Sequence, residues 1–156
     1  MTPQPLYGHP ACLMTRLGVH VEAHLTELLV PLGIQPRHFG MLSLLIEQDG
    51  RSQHQLAEPL NVHRNVMVGL VDELEQRGLI ERRRHPVDRR AHAVHLLPAG
   101  RELHAEADAV VTEFEAKMLG GLSAEEAATF VELQKRVSEH VGISHELHPG
   151  LRGDLR

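Results

Sequence analysis

The sequence of 156 residues has no tryptophan, one cysteine and few aromatic side chains. Aromatic residues make up only 3% of the chain, so leucine, valine, alanine and methionine must supply most of the buried surface. That mixture is typical of packed helices rather than of a β-sandwich. The single cysteine, Cys12, excludes an internal disulfide framework. These shortages predict a mostly helical fold.

The chain also lacks long apolar runs and recognisable catalytic motifs. No run reaches membrane-spanning length and no secretory signal is visible, which predicts a cytoplasmic protein without membrane contact. A glycine-rich phosphate loop, a nucleophile motif and a supported carboxylate pair are missing, so neither an enzyme nor a bound cofactor is expected. The length suits one domain and is short for two.

Positive charge is scarce overall but concentrated in one segment. The formal net charge is −5, yet the stretch RRRHPVDRRAH from Arg82 to His92 holds five arginines within nine residues. A basic patch on an acidic body predicts one surface that faces a polyanion such as nucleic acid. The alternative interpretation is a solvated loop that only keeps the protein soluble.

Apolar residues at three- and four-residue steps predict long amphipathic helices at both ends of the chain. One runs from about residue 10 to residue 30, and Pro36 suits the first position of a second, buried helix. Pro98 opens another long helix, and Ser123 with Glu126 forms a capping box for the last one. The apolar stripes on these helices exceed what the small central part can cover, and a two-fold dimer would bury them. An intrachain bundle is the alternative.

The centre of the chain predicts a winged helix-turn-helix. Ser52 and Gln55 form a possible capping box for a short helix, and HRNVMVGLVDELEQRG predicts a second helix close behind it. LIERR and AHAVHLL are β-compatible runs around the Arg-rich segment, in which Pro86 and Asp88 favour a turn. They predict a two-stranded hairpin, which forms a wing behind the helix-turn-helix.

The element order and three stretches resemble the MarR family (multiple antibiotic resistance regulators) from about Cys12 to Val141. The stretches are LGIQPRHFGMLSLL, SQHQLAEPLNVHRNVMVGLVDELEQRGLIERR and HPVDRRAHAVHLLPAG, the last with the D-x-R pattern of the family's wing. The resemblance implies a homodimer with intertwined N- and C-terminal helices and two winged lobes on a pseudo-palindromic operator in double-stranded DNA. The implied divisions are a single domain over 1–156, a DNA-binding lobe over 36–97, dimerisation helices over 10–31 and 98–141, and a tail over 142–156.

The resemblance also implies which residues contact DNA. Arg64 and Asn65 could hydrogen-bond base edges, while Val66 or Val68 could touch thymine methyl groups. Gly69 offers no side chain and weakens its helix by about 1 kcal/mol relative to alanine. The family often carries polar residues on this face, so affinity here would depend more on phosphate contacts and on the wing. The candidate DNA-binding residues are Ser52, His63, Arg64, Asn65, Val66, Val68, Arg83, Arg84, Asp88, Arg89 and Arg90.

Regulation by a small molecule is a further implication of the resemblance. The family often binds a phenolic or lipophilic anion between its dimerisation helices and its DNA-binding lobe. Residues that could line such a cleft in this chain are His20, His24, His38, Phe39 and Met41.

Two further sensing chemistries remain as alternatives. Cys12 lies near a helix start, close to the reactive cysteine of the family's organic-hydroperoxide branch. That branch surrounds its thiol with tyrosines, whereas Tyr7 is the only tyrosine of this chain, and an inert half-buried cysteine is the simpler interpretation. His20 with His24, and His145 with His148, have ligand-like spacing, but no carboxylates cluster around them and no metal site is expected.

The sequence therefore predicts a sequence-specific transcription regulator, a homodimeric repressor that a small-molecule effector relieves. Three alternatives stay open. One is a winged-helix protein-interaction module without operator recognition, motivated by the depleted recognition face. The others are a thiol-redox regulator and a metal-sensing regulator of the same fold.

Overall fold

The computed structural model describes residues 5–60, 62–84 and 92–143, and its helices and strands follow the predicted order. The helices are α1 Pro10–Leu29, α2 Pro36–Glu47, α3 Gln53–Leu60, α4 Arg64–Gln76, α5 Pro98–Met118 and α6 Ala124–His140. The strands are β1 Arg51–Ser52, β2 Ile80–Arg84 and β3 His92–Leu96. Short 3-10 helices at Leu6–Gly8 and Val30–Leu32 flank α1. The predicted fold class, mostly helical with a small antiparallel wing, is confirmed.

Prolines and capping side chains begin the helices where the sequence predicts them. A proline occupies the first position of three helices, at Pro10, Pro36 and Pro98. At α3 the N–H of Gln55 donates to Ser52 Oγ over 3.1 Å, and the N–H of Ser52 donates to Gln55 Oε1 over 2.8 Å. Ser123 and Glu126 make the same reciprocal pair at α6. Both predicted capping boxes are therefore confirmed.

The predicted antiparallel strand pair of the wing is confirmed, and the sheet has a third strand that was not predicted from the sequence. β2 and β3 pair antiparallel with Ile80 opposite Leu96, and β1 pairs with the other edge of β3 with Arg51 opposite Val94. β1 has only two residues, too few to show the alternation of polar and apolar side chains that marks a strand in a sequence. The third strand connects the start of α3 to the wing.

Two apolar clusters form the interior. The larger fills the lobe between α2, α3, α4 and the sheet, and its fully buried side chains include Met41, Leu42, Leu45, Leu56, Leu60, Val71, Leu74 and Val94. The smaller joins α1, α2 and α5 through Leu25, Leu29, Ile34, Phe39, Ala107 and Val111. Leu103 of α5 packs against both clusters and so connects the lobe to the long helices.

Gly100 allows α5 to start directly against the lobe. A Cβ at this position would lie 2.1 Å from the backbone oxygen of Leu79, much closer than any van der Waals contact. The N–H of Leu97 donates to the same oxygen over 3.0 Å, which holds the helix start in place. The glycine that ends the stretch HPVDRRAHAVHLLPAG is therefore needed for a close backbone approach.

Apolar stripes lie on the surface of α1 and α6, as the dimer prediction requires. Leu17 of α1 is 47% exposed, and Leu133 and Val137 of α6 are 50% and 44% exposed. Within the described chain α6 buries none of its residues. A helix with an apolar stripe and no buried side chain usually packs against another surface. No helix in the described ranges is long and apolar enough to cross a membrane.

Candidate nucleic-acid interface

Helix α4, the second helix of the predicted helix-turn-helix, has one buried face and one exposed face. Its buried residues are Met67, Leu70, Val71 and Leu74. Its exposed face begins with Arg64 and Asn65 and continues one turn later with Val68 and Gly69. Val66, a predicted base contact, instead packs partly buried against the larger apolar cluster. The side chains that α4 offers to a partner are thus fewer than the sequence suggested.

Two of the predicted DNA contacts, Ser52 and His63, are helix caps. Ser52 Oγ accepts the N–H of Gln55, and His63 Nδ1 accepts the N–H of Asn65 over 3.3 Å. Histidine is not a favoured N-cap residue, so this second cap could not be predicted from the sequence. Both caps lie at helix N-termini, where the free backbone N–H groups and the helix dipole attract phosphate groups.

Arg82 of the Arg-rich segment turns back onto α4 and binds two carboxylates there. Its guanidinium donates to Glu75 and to Asp72, and its backbone N–H donates to Glu75 Oε1 over 2.7 Å. Burial alone would lower the pKa of Arg82, but the hydrogen bonds to both carboxylates outweigh it and raise that pKa above its ordinary value. Arg82 therefore fastens β2 to α4, and its charge is neutralised within the protein.

The other arginines of this region differ in how much charge they present to solvent. Arg77 donates to the backbone oxygen of Gly33 over 2.7 Å. Arg83 donates from Nε to Glu81 over 2.7 Å while its side chain stays 58% exposed. Arg84 is exposed and has no ion-pair partner among the residues that the structure describes. The positive charge available on β2 is therefore carried by Arg83 and Arg84.

The D-x-R pattern itself, Asp88, Arg89 and Arg90, lies outside the described residues. The two neighbouring strands end at Arg84 and begin at His92, as expected for a wing hairpin. The roles of the three residues in DNA binding stay predictions.

The five predicted effector-contacting residues fall into two groups with different surroundings. His20 and His24 lie on α1 with ring centroids 4.1 Å apart, and the ring of His24 stacks on Phe114 of α5 at 5.6 Å. They border a shallow groove of about 380 Å³ along α1. By contrast, Met41 is fully buried in the lobe core, so it lines no open cleft and the prediction is corrected at this residue.

His38, another predicted cleft residue, connects α2 to α4. Its Nδ1 accepts the N–H of Gln35 over 3.1 Å, so the proton is on Nε2, which lies 3.1 Å from Glu73 Oε2. Burial lowers the pKa of His38 although Glu73 opposes this, and the ring is neutral at neutral pH. With the bond from Arg77 to Gly33, this contact ties the C-terminal half of α4 to the corner between α1 and α2.

Phe39, the remaining predicted cleft residue, is buried where α2 meets α5. Its ring stacks on His104 with centroids 5.3 Å apart, and His104 Nε2 lies 2.9 Å from Ser43 Oγ. Burial lowers the pKa of His104 although Asp108 opposes it. Sequence reasoning missed His104 and Ser43, because they are 61 residues apart and only the fold brings them together.

Few reactive or metal-binding groups lie together in the described structure where the two sensing alternatives, thiol oxidation and metal binding, would need them. Cys12 is a half-buried free thiol at the third position of α1. The described parts of the chain hold no group of three or more His, Cys, Asp or Glu side chains that could bind a metal ion. His145 and His148 lie outside those parts.

Comparison with known proteins identifies relatives of this arrangement. A model of the MarR family matches residues 32–91. A protein of Thauera aromatica, assigned to transcriptional regulation of the hcr operon, is 34% identical over 105 residues, which are 67% of this chain. The chain spans 63% of that relative's length.

Solved structures extend the match over most of the chain. The transcriptional repressor CouR bound to a 23-mer DNA duplex has a TM-score of 0.80 and 27% identity, covering 88% of this chain and 98% of CouR. CouR from Rhodococcus jostii RHA1 bound to p-coumaroyl-CoA has a TM-score of 0.76 and 28% identity, covering 87% and 96%.

Proposed function

The chain belongs to the MarR family, and on that premise we propose that it is a homodimeric transcription regulator of a pseudo-palindromic DNA operator. Its lobe, residues 36–97, binds DNA, and residues 10–31 and 98–141 form the dimer. Such a regulator acts in the cytoplasm, where it meets DNA. A regulator in this family is not expected to be an enzyme.

The observation that carries the proposal is the exposed face of α4 beside a wing with exposed arginines, of which Arg83 also pairs with Glu81. Arg64 starts this face, and Arg83 and Arg84 lie exposed on β2. The remainder of the chain is acidic, so a polyanion approaching any other surface would be repelled. A helix of this kind fits the major groove while its wing reaches the neighbouring backbone and minor groove.

The proposed effector is a phenolic or lipophilic anion; the structurally similar CouR was solved bound to p-coumaroyl-CoA, which carries a phenolic group. The groove beside His20 and His24 is the accessible candidate for its binding. His38 and Phe39 do not line this groove, because both are buried at contacts of α2 with other helices.

Selection of bound fragments from random genomic DNA tests the proposed DNA recognition. The proposal expects enrichment of a palindrome whose half-sites lie about one helical turn apart, 10–10.5 base pairs in B-form DNA. No enrichment would contradict it and would favour a winged-helix protein-interaction module.

Dimer formation is tested by Leu17→Asp. Leu17 is 47% exposed in the single chain, so the charge should leave each protomer folded and prevent burial of the α1 stripe in a dimer. Phe114→Asp is a poorer probe, because Phe114 already packs against the smaller cluster of its own chain. Sedimentation that finds a folded monomer in the unmodified protein would end the dimer proposal.

A further inference from the structure

Gly69 lies in the middle of α4 without a structural reason in its own chain. A Cβ built at this position meets no atom of the described residues within 4 Å, and the backbone is helical. Gly100, by contrast, is required by the backbone oxygen of Leu79. A glycine in a helix interior is less stable than an alanine, so the chain loses stability at Gly69 with no packing gain in return.

The neighbour of Gly69 on the exposed face is also unusual. Val68 is 38% exposed on a helix whose apolar side is otherwise turned into the lobe core. The next residue on this face, Asp72, forms an ion pair with Arg82 and so belongs to the contact with the wing. Between Arg64 and Asp72, the centre of the exposed face therefore presents one branched apolar side chain and one bare stretch of backbone.

An exposed valine next to a glycine suits contact with a partner that carries apolar groups and that the helix must approach closely. The major groove is about 12 Å wide and an α-helix with side chains is about 10–12 Å across, so each missing side chain lets the axis come nearer to the base edges. The apolar group exposed in that groove is the C5-methyl of thymine.

We propose that Val68 and Gly69 together form an apolar reading face that recognises thymine methyl groups at close approach of α4. The inference rests on the proposed DNA-binding function. It assigns base discrimination to the part of the helix that carries no hydrogen-bonding side chain. It also gives the glycine a role in specificity.

The test is Gly69→Ala, whose effects on stability and on DNA binding should have opposite signs. Restored helix propensity should raise Tm by about 2–4 °C. The added methyl group should hold α4 away from the bases and weaken binding to the selected operator about tenfold or more, the size of one lost base contact. Affinity for a random-sequence duplex should stay unchanged, since phosphate contacts dominate there.

Gly18→Ala is the matched control. Gly18 lies inside α1, is exposed, and likewise has nothing within 4 Å of an added Cβ. Because Gly18 lies within the proposed dimer range 10–31, sedimentation first checks that this variant is still a dimer; the dimer should then have a similarly raised Tm and unchanged operator affinity. Equal losses of affinity in both variants, or no loss in Gly69→Ala, would overturn the inference.

Replacing operator thymines one at a time by deoxyuridine removes only the methyl group and locates the contact. At one thymine per half-site, this replacement should weaken protein binding about fourfold, which corresponds to the burial of one methyl group. In Val68→Ala this loss should disappear, as a double-mutant cycle requires of a direct contact. Uracil effects of equal size in both proteins would contradict the proposal. An unmodified protein that selects no operator would instead refute the proposed function.

Discussion

Replacing Arg82 by methionine should cost the protein more stability than replacing the adjacent Arg83. The Arg82 side chain is 19% exposed, and its partners Asp72 and Glu75 are 50% and 36% exposed. Exposed ion pairs are worth about 0–1 kcal/mol, and breaking a buried one costs about 3–5 kcal/mol. The intermediate burial here gives an expected loss of about 2 kcal/mol, or about 4–8 °C in Tm. Methionine keeps the apolar stem, so the loss reports the missing guanidinium.

Urea and thermal unfolding followed by circular dichroism measure the difference. Arg83→Met is the control, since Arg83 is 58% exposed and its bond to Glu81 stays within one strand. Its loss should not exceed about 1 kcal/mol. Equal losses in the two variants would refute the reasoning that Arg82 fastens the wing to the recognition helix.

Three other predictions concern DNA binding and pH. Arg90→Ala should weaken operator binding by about 1–3 kcal/mol per lobe with little loss of fold. Asp88→Ala should reproduce part of this loss, and Arg89→Ala should weaken binding less. Equal losses of affinity for the two arginine variants, measured by fluorescence anisotropy, would show that the charge is generic. Operator affinity should fall with salt at a log-log slope of roughly −5, as expected for about six neutralised phosphates, and a slope near zero would exclude the electrostatic account. Burial lowers the pKa of the His38 side chain below 6.5, so the unfolded state takes up a proton on this imidazole at a higher pH than the folded state. The stability that neutral His38 contributes should therefore be fully present above about pH 6.5 and should decline below it. His38→Gln should flatten this decline in urea unfolding between about pH 8 and pH 5 and leave the part due to His104, whose pKa burial also lowers. An unchanged profile would rule out the role of His38.

The helices were predictable because their signals are local. Pro36 and Pro98 preset the first helical turn, and the capping box of Ser123 and Glu126 needs only residues three apart in sequence. The apolar face of α4 follows the helical period. Elements specified within one or two turns can therefore be recognised without knowledge of the fold.

The contacts that position the site could not be predicted, because they join distant segments. His38 and Glu73 are 35 residues apart, and Ser43 and His104 are 61 apart. Arg82 begins a run of three arginines, and only the fold brings two carboxylates of α4 to it. Val66 looked exposed for a similar reason, since its burial depends on the packing of the lobe.

The stoichiometry of the complex with a selected operator tests the central claim most directly. Native mass spectrometry of the unmodified protein with a duplex carrying both half-sites should give two chains per duplex. A duplex with one half-site scrambled should bind the same dimer more weakly, because only one lobe can then make base contacts. A single chain on the intact operator, or equal affinity for the two duplexes, would contradict a dimeric regulator with two reading lobes.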